Sequence, residues 1–558
     1  MTAFPPLVAY FSMEVALAPG IPTYAGGLGV LAGDMLRSCA DLGELVIGVT
    51  LVHRLGYFHQ RLSPQGDQSE EPCPWRPEEH AVRCTPTVEV TIEGRPVKIG
   101  LWRYEIRGSG GHVVPVLLLD SDLPENAPSD RQLTNWLYGD GESYRIAQEV
   151  ILGIGGVRAL HALGFSQLQT FHLNEGHAAF AGLELLRQES QKSLAWDVDA
   201  VRKRCVFTTH TPVPAGHDQF FHDLVRRIVG DVVPPELLRR LGGDGVLNMT
   251  LLALNLSHYV NGVARAHRNV SEHLFPGHAI GHITNGVHAA TWTAAPFRDL
   301  YDRHLPGWRD DPALLRQVLA MAPDPIWQAH VAAKQALLAE VKTRTGRTLD
   351  PERLTLGFAR RSTAYKRPDL LFRDLERLRR MGRGRLQIVY AGKAHPRDEA
   401  GKSLIRRITA AARALGDDVP IVYLPDYDVE LAKFLVSGVD LWLNTPLRPL
   451  EASGTSGMKA AHNGVPSFSV LDGWWVEGCI EGLTGWAIGG SYDPALSAAD
   501  ADRDDAADLY TKLESTILPL FTGDRSRWVS VMQHAIALNA SYFNSHRMVQ
   551  QYIANAYM

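Results

Sequence analysis

A lysine directly behind a run of small hydroxyl and glycine residues is where this sequence most invites chemistry. In SGTSGMK (453–459), Ser453, Thr455 and Ser456 alternate with Gly454 and Gly457, and Lys459 follows. The segment comes after the apolar LWLN (441–444) and runs into good helix formers, Met458 to Ala461. Strand, glycine-rich turn and helix start together gather free backbone N–H groups and the positive end of a helix dipole where a phosphate can sit. The GxxxxGK[ST] spacing of a P-loop is absent. A cation in a first helical turn opposes the dipole, which favours Lys459 as a neutral amine or imine. That form, beside a phosphate cradle, is what a pyridoxal phosphate Schiff base needs. For the isolated fragment an ordinary surface helix start with a solvated lysine is by a wide margin the better explanation, and the rest of the chain has to change those odds.

Other segments bear on the choice. Arg360, Arg361, Lys366 and Arg367 fall within eight residues behind the apolar LTLGFA. So many cations are costly to bury unless anions meet them, and guanidinium forks with a lysine point charge suit two phosphates better than one. A solvated helix start is the alternative. In PTYAGGLGVLAGDML, Gly26, Gly27 and Gly29 make a turn whose N–H groups can face an anion, with a helix expected from near Val30. A tight strand–helix connection accounts for it as well. His172, His177 and His210 follow apolar runs and sit beside acids or hydroxyls, at carboxyl ends of strands where open α/β sheets bind ligands. Separate structural roles for the three are the alternative.

These residues need elements to hold them. LVAYFSMEV (7–15), ELVIGVTL, TVEVTIEG, VKIGLWRYEI, HVVPVLLLD, Leu168–Leu173 and VFTTH read as strands. Residues 140–163 read as an amphipathic helix, as does NMTLLALNLSHYVNGVARAH (248–267). Residues 58–95, Pro-rich and charged, read as an irregular or β-rich insertion. From residue 354 the pattern restarts with LTLGFA, LQIVYAG, VPIVYLP, DLWLN and VPSFSV, each followed by a turn or helix. Alternating strands and helices predict α/β folding with parallel sheets, in two halves facing a cleft.

A chain of 558 residues with 45% hydrophobic content has room for two large domains or three smaller ones. The net charge of −5 predicts no nucleic-acid partner. Cys39, Cys73, Cys84, Cys205 and Cys479 are scattered without CxxC spacing, which argues against a disulfide framework or a zinc site and fits a reducing cytoplasm. The apolar start lacks a basic n-region and is interrupted by Glu14, so no signal peptide is expected. No stretch approaches the ~20 apolar residues of a membrane span.

Taken together, YFSMEV, GGLG (26–29), THT (209–211), VNGVARAH (260–267), TNG (284–286), RRSTAYKR (360–367), AGKAHP (391–396), EASGTSGMK (451–459), NG (463–464), LDG (471–473) and HRMVQQYIANAYM resemble the α-glucan (glycogen, starch or maltodextrin) phosphorylases in a short bacterial-type form. The resemblance implies two Rossmann-like domains in the GT-B glycosyltransferase architecture. One spans residues 1–288 and is completed by a C-terminal helix at 536–558; the other spans 289–535 and binds cofactor and phosphate. It implies phosphorolysis of a terminal α-1,4-linked glucose by inorganic phosphate, giving glucose 1-phosphate with retention. In that chemistry the phosphate of pyridoxal 5'-phosphate serves as general acid and base.

By the same resemblance Lys459 carries the Schiff base, Arg360, Lys366, Thr455 and Ser456 hold the cofactor phosphate, and Tyr427 and Trp292 pack about its ring. Arg361, Lys366 and the backbone of Gly27 and Leu28 take the substrate phosphate, while His210, Asn285, Tyr365, Glu451, Ala452, Ser453 and Gly454 contact the glucosyl unit. Lys459, Arg361, Lys366 and His210 form the catalytic set, with no metal, and glucan and inorganic phosphate are the partners. Larger members carry a long N-terminal regulatory segment; here the first strand begins within ten residues, so control of that kind is not expected. The short stretch between GGLG and HLNEGH leaves the family's dimer contacts, and hence a homo-oligomer, open. Val30, Thr363 and the pair Trp474–Trp475 depart from the larger members. A sugar-nucleotide glucan synthase of the same architecture would carry a second glutamate eight residues after Glu451, where this chain has Lys459. A silent glucan-binding homologue would be expected to lose Lys459, Arg361 or Lys366. A conventional pyridoxal aminotransferase would need an acid for the pyridinium nitrogen.

Overall fold

The computed structural model describes residues 7–139 and 141–558. The first six residues of the expected N-terminal domain, and Asp140 at the head of the expected helix 140–163, lie outside the described residues. The chain divides into two compact units: residues up to Phe58, Pro72–Thr284 and Met548–Met558 in one, His59–Glu71 and Asn285–Arg547 in the other.

In the first unit the strands lie in the order Gly281–His282, Tyr259–Gly262, Cys205–Thr208, Thr170–Asn174, Val8–Ser12, Val46–Leu51, Val113–Asp120, Arg95–Arg107, Val82–Arg83. Neighbours from the first edge to Val113–Asp120 are parallel. Beyond that the sheet turns antiparallel, Val88–Ile92 also pairing with Arg95–Arg107. The central strands VAYFS and VIGVTL are buried at every position, as near-continuous apolar runs must be when both faces of a parallel sheet are covered. Ala9 and Phe11 enter a core on one face; Val8 and Tyr10 enter the other, which also holds Met548, Val549 and Tyr552 from the chain's last helices.

The second unit holds a six-stranded parallel sheet in the order Ile421–Leu424, Leu386–Ala391, Leu354–Ala359, Leu441–Asn444, Ser467–Val470, Gly485–Ile488. Numbered along the chain this is 3-2-1-4-5-6, the doubly wound order of Rossmann folds. The parallel part of the first unit's sheet is wound in the same sense, the chain's first strand lying between Val46–Leu51 and Thr170–Asn174.

Three expectations need correction. Residues 248–267 are not one helix: Met249–Asn255 is helical, Tyr259–Gly262 is a strand beside Cys205–Thr208, and a second helix starts at Arg265. Residues 59–71 fold with the second unit as the hairpin His59–Leu62 and Gln68–Glu71. Buried Gln60 donates to the Gly392 carbonyl and accepts from the Asp426 amide, while Gln68 exchanges both bonds with the Ala394 backbone. Residues 536–547 also stay with the second unit, because Ile536 lies in its core and Phe543 and Ser545 pair with Val287; only Met548–Met558 returns to the first.

Candidate active site

In a doubly wound sheet the crevice opens beyond the strand ends where the winding reverses. In the second unit that point lies between Leu354–Ala359 and Leu441–Asn444. The loop from the first strand carries Arg360 to Lys366, and the loop from the second carries Glu451. The two meet there: Arg360 Nη2 donates to Glu451 Oε2 at 2.6 Å, and Lys366 Nζ lies 3.3 Å from the same oxygen. Burial works against the charge of Glu451, but Arg360 and Lys366 outweigh it and draw its pKa down to about 2. Two buried cations thus share one carboxylate, leaving an excess of positive charge. Tyr365 lies alongside, its ring centroid 4.8 Å from Lys366 Nζ, and the side chain of Arg361 is exposed.

The fourth cation of the expected cluster does other work. Arg367 is buried and donates to Asp505 at 2.6 Å, to Asp502 at 2.9 Å and to the carbonyls of Thr445 and Pro446. It fastens the loop after Leu441–Asn444 to the helix Ala498–Lys512, so the charge available to anions comes from Arg360, Arg361 and Lys366.

The backbone of Glu451 is held from the adjacent strand. Its N–H donates to Asp472 Oδ2 at 2.9 Å, and the Gly473 N–H donates to Asp472 Oδ1 at 2.9 Å. Burial raises Asp472 to about 7 against the pull of both amides. Trp474 N–H donates to the Ser453 carbonyl at 2.9 Å, and a Cβ on Gly473 would stand 2.3 Å from that oxygen. Gly454 has φ of 77°, open to glycine without strain. Ser453 Oγ is buried without a hydrogen-bond partner, and Ala452 is half-buried beside it. Trp474 and Trp475 are both buried, with ring centroids 5.1 Å apart, and Trp474 packs edge-on against Phe543. A Cβ on Gly457 would meet the Trp474 ring at 2.7 Å. The tryptophan pair is therefore the floor under the glycine-rich loop.

Lys459 lies in the helix Ser456–Ala461 and is 7% exposed. The helix is so short that Lys459 also falls in its last turn, and the dipole argument against a charged amine loses its force. What meets the amine is an aromatic face: Nζ is 4.0 Å from the centroid of the Trp292 ring. Asn463 fixes this pairing, donating to the carbonyls of Trp292 (2.8 Å) and Lys459 (3.1 Å) and accepting from Ala294 N–H (2.7 Å). Thr455 is the N-cap residue with no side-chain cap bond, and Ser456 Oγ accepts from the Trp442 indole at 3.0 Å. Tyr427 sits half-buried after Ile421–Leu424, next to Asp426, which the hairpin residues His59 and Gln60 hold. Asn285 is buried, its Oδ1 without a hydrogen-bond partner and its carbonyl accepting from Arg547.

The first unit places its own group at its switch point, between Val8–Ser12 and Thr170–Asn174. Glu175, held at φ 74°, accepts from the His210 amide (2.7 Å) and Thr211 Oγ1 (2.9 Å) through one oxygen and from the Gly176 amide through the other. Burial opposes its charge, but His210, His217 and His177 outweigh burial and its pKa is lowered. His210 Nε2 lies 2.7 Å from Asn174 Oδ1, and burial pulls the imidazole down to about 4. Neutral His210 therefore keeps its proton on Nε2 and presents a lone pair at Nδ1. Gly27 and Leu28 start the sixteen-residue helix Gly27–Leu42, which has no side-chain cap and no acid in its first turn. His172 and His177 serve elsewhere: His172 bonds Thr208 and Tyr557 inside the core, and His177 lies 3.3 Å from Asp218.

Sequence reasoning did not assign Glu14, Glu175, Asn463 or Asp472 to the site. Glu14, a lone acid in an apolar run, was the visible signal; the others lie inside or beside motifs already singled out. Among the described residues no group of three or more His, Cys, Asp or Glu side chains is placed to hold a metal, and no helix is long and apolar enough to cross a membrane.

A family model described as carbohydrate phosphorylase matches residues 236–482. The chain is similar to a maltodextrin phosphorylase of Thermococcus litoralis, 38% identical over 99% of this chain and 70% of that one. It is 36% identical to a glycogen phosphorylase of Mycobacterium tuberculosis, over 100% of this chain and 71% of that one. It is 35% identical to a glycogen phosphorylase of Aquifex aeolicus, over 99% of this chain and 86% of that one.

Proposed function

The chain belongs to the carbohydrate phosphorylase family, and from that premise we propose that it cleaves the terminal α-1,4-linked glucose of a glycogen-, starch- or maltodextrin-type glucan with inorganic phosphate. The product is glucose 1-phosphate, with retention at the anomeric carbon. The observation that carries this reading is the convergence of Arg360 and Lys366 on Glu451 at the sheet's switch point, with buried Lys459 eight residues further along the same loop and helix.

The donor set fits pyridoxal 5'-phosphate. It offers a buried amine against an aromatic face, an excess of buried positive charge, and a partnerless buried hydroxyl at Ser453. Lys459 would anchor the group, Trp292 and Tyr427 would flank its ring, and Arg360, Lys366, Thr455 and Ser456 would hold its phosphate. Bound there, the cofactor supplies a phosphate that gives and takes the proton of phosphorolysis. In the second unit Arg361 and Lys366 hold phosphate and offset the repulsion between neighbouring anions; in the first unit the amides of Gly27 and Leu28 are phosphate donors of their own. Glu451, kept ionised by its cations, accepts from sugar hydroxyls, and the Ala452–Gly454 backbone, Tyr365 and Asn285 supply the second unit's other sugar contacts; His210 is the sugar contact of the first unit. Neutral His210 orients a hydroxyl and does not act as an acid, and its backbone carbonyl faces the positive charge that develops on the sugar. Among the described residues none of the five cysteines is in a disulfide, in keeping with a cytoplasmic setting.

Purified protein is expected to be yellow, to lose its imine absorbance on borohydride treatment, and to release glucose 1-phosphate from maltodextrin plus phosphate. Lys459→Ala should abolish both colour and turnover, whereas Arg361→Ala should keep the colour and weaken phosphate use. A colourless protein that is inert with phosphate would defeat the proposal, and a yellow Lys459→Ala protein would defeat the anchor.

A further inference from the structure

Glu14 stands where an apolar strand should continue, and it is 3% exposed. One carboxylate oxygen accepts from the amides of Ala25 (2.6 Å) and Gly26 (3.2 Å); the other accepts from Tyr138 Oη at 2.8 Å. Three donors satisfy the buried charge, and two of them belong to the backbone that enters the Gly26–Gly29 turn. Gly29 must be glycine for the same reason, since a Cβ there would stand 2.8 Å from Glu14 Oε2 and 2.7 Å from Tyr24 Cβ. At Gly26 and Gly27, by contrast, a Cβ would meet nothing within 4 Å, so open space lies over the turn. The carboxylate is used up from behind, while the next amides, at Gly27 and Leu28, belong to the uncapped start of the helix.

Tyr138 is also constrained. Its φ is 57°, in the left-handed region a bulky residue avoids. The Arg145 guanidinium lies 4.4 Å from its ring centroid, bonded to Asp218 at 3.1 Å and lying 3.2 Å from His177 Nε2. His177 is two residues from Glu175, which grips the His210 amide. An unbroken set of contacts therefore runs from Gly26 through Glu14, Tyr138 and Arg145 to the loop that holds His210.

We propose that Glu14, seconded by Tyr138, is a positioning residue for the attacking phosphate: it sets the Gly26–Leu28 turn whose free amides receive the anion. This rests on the reading that the turn binds inorganic phosphate. Glu14→Gln keeps an oxygen for the two amides but turns their bonds to a charged group into neutral ones, about half as strong, which together is worth about tenfold in an equilibrium; Tyr138→Phe removes one of the three bonds and is worth somewhat less.

The test uses the full-length holoenzyme with inorganic phosphate as the varied substrate at saturating maltodextrin. Glu14→Gln should raise the phosphate KM about tenfold or more, leave the maltodextrin KM within about twofold, and leave the cofactor absorbance unchanged. Tyr138→Phe should move the phosphate KM in the same direction by about threefold, and it carries the test if Glu14→Gln does not fold. Gly27→Ala, whose methyl has room in the protein but intrudes where the anion would bind, tests the underlying reading. If Gly27→Ala raises the phosphate KM while Glu14→Gln and Tyr138→Phe do not, the positioning role is wrong. If Gly27→Ala leaves the phosphate KM unchanged, the phosphate reading itself fails. If Glu14→Gln lowers thermal stability and degrades both KM values and kcat together, its role is structural only and the proposal is overturned.

Discussion

Glu451→Gln is the substitution whose consequence the structure fixes most tightly. The carboxylate is buried between Arg360 and Lys366, which hold its pKa at about 2. An unfolded glutamate titrates near 4.3. At about 1.4 kcal/mol for each tenfold change in the proton equilibrium, the displacement is worth about 3 kcal/mol, close to the 3–5 kcal/mol that follows when one member of a buried ion pair is removed. Because the folded value is depressed, this stability is present above the unfolded value and is lost as the pH falls from about 4.3 towards 2. In phosphate-free buffer at pH 7, Glu451→Gln should therefore lower the unfolding free energy of the second unit by about 3 kcal/mol. The gap to wild type should narrow as the pH is lowered below 5. Denaturant unfolding followed by the fluorescence of the buried tryptophans Trp442, Trp474 and Trp475 reads that unit. Adding inorganic phosphate should stabilise the variant more than wild type, because two cations have lost their carboxylate. Equal stability at pH 7, or a gap indifferent to pH, would refute the charge balance described for this site.

Asp472, raised to about 7 chiefly by burial, gives the opposite slope. Its contribution is full below about pH 4 and is lost as the pH rises towards 7, so Asp472→Asn should gain on wild type between about pH 4 and pH 7 and level off above that in the same unfolding experiment; a constant difference would contradict the assignment. Trp474→Ala should cost about 3–5 kcal/mol by opening a cavity beneath the glycine-rich loop. In a double-mutant cycle Gly457→Ala should be less harmful on that background than alone, because its methyl no longer meets the indole, and additive effects would argue against the packing described.

The central strands were legible because VAYFS, VIGVTL, LTLGFA and LQIVYA are apolar but for one polar residue each, a near-continuous pattern that both faces of a parallel sheet demand. The basic turn was legible as a place where cations are costly to bury without an anion, and the anion that Arg360 and Lys366 meet is the carboxylate of Glu451. Charge counting could not show that Arg367 faces Asp502 and Asp505, acids more than a hundred residues away in the chain. Residues 249–262 misled because apolar positions in LLALNLSHYV keep helical spacing across a boundary fixed only by pairing with Cys205–Thr208. Residues 58–95 read as an irregular or β-rich insertion, and the hairpin His59–Glu71 is β-rich; what the sequence hides is its attachment, because its buried side chains are glutamines whose partners are the backbone atoms of Gly392, Ala394 and Asp426. Glu14 was read only as an interruption; its role depends on amides eleven and twelve residues onward.

That hairpin bears on how the molecule is made. The chain passes from one unit to the other after Phe58, Glu71, Thr284 and Arg547, so neither unit is a contiguous stretch. On the ribosome, His59–Glu71 emerges well before Asn285–Arg547, the segment it is built to clasp, and its exposed backbone edges must wait for that segment. The first unit waits longer still, since Met548, Val549 and Tyr552 close one face of its core only after Asn285–Arg547 has been made. Genetic truncation at any single peptide bond would leave at least one unit missing part of itself, which makes this a protein that matures as a whole chain and not domain by domain.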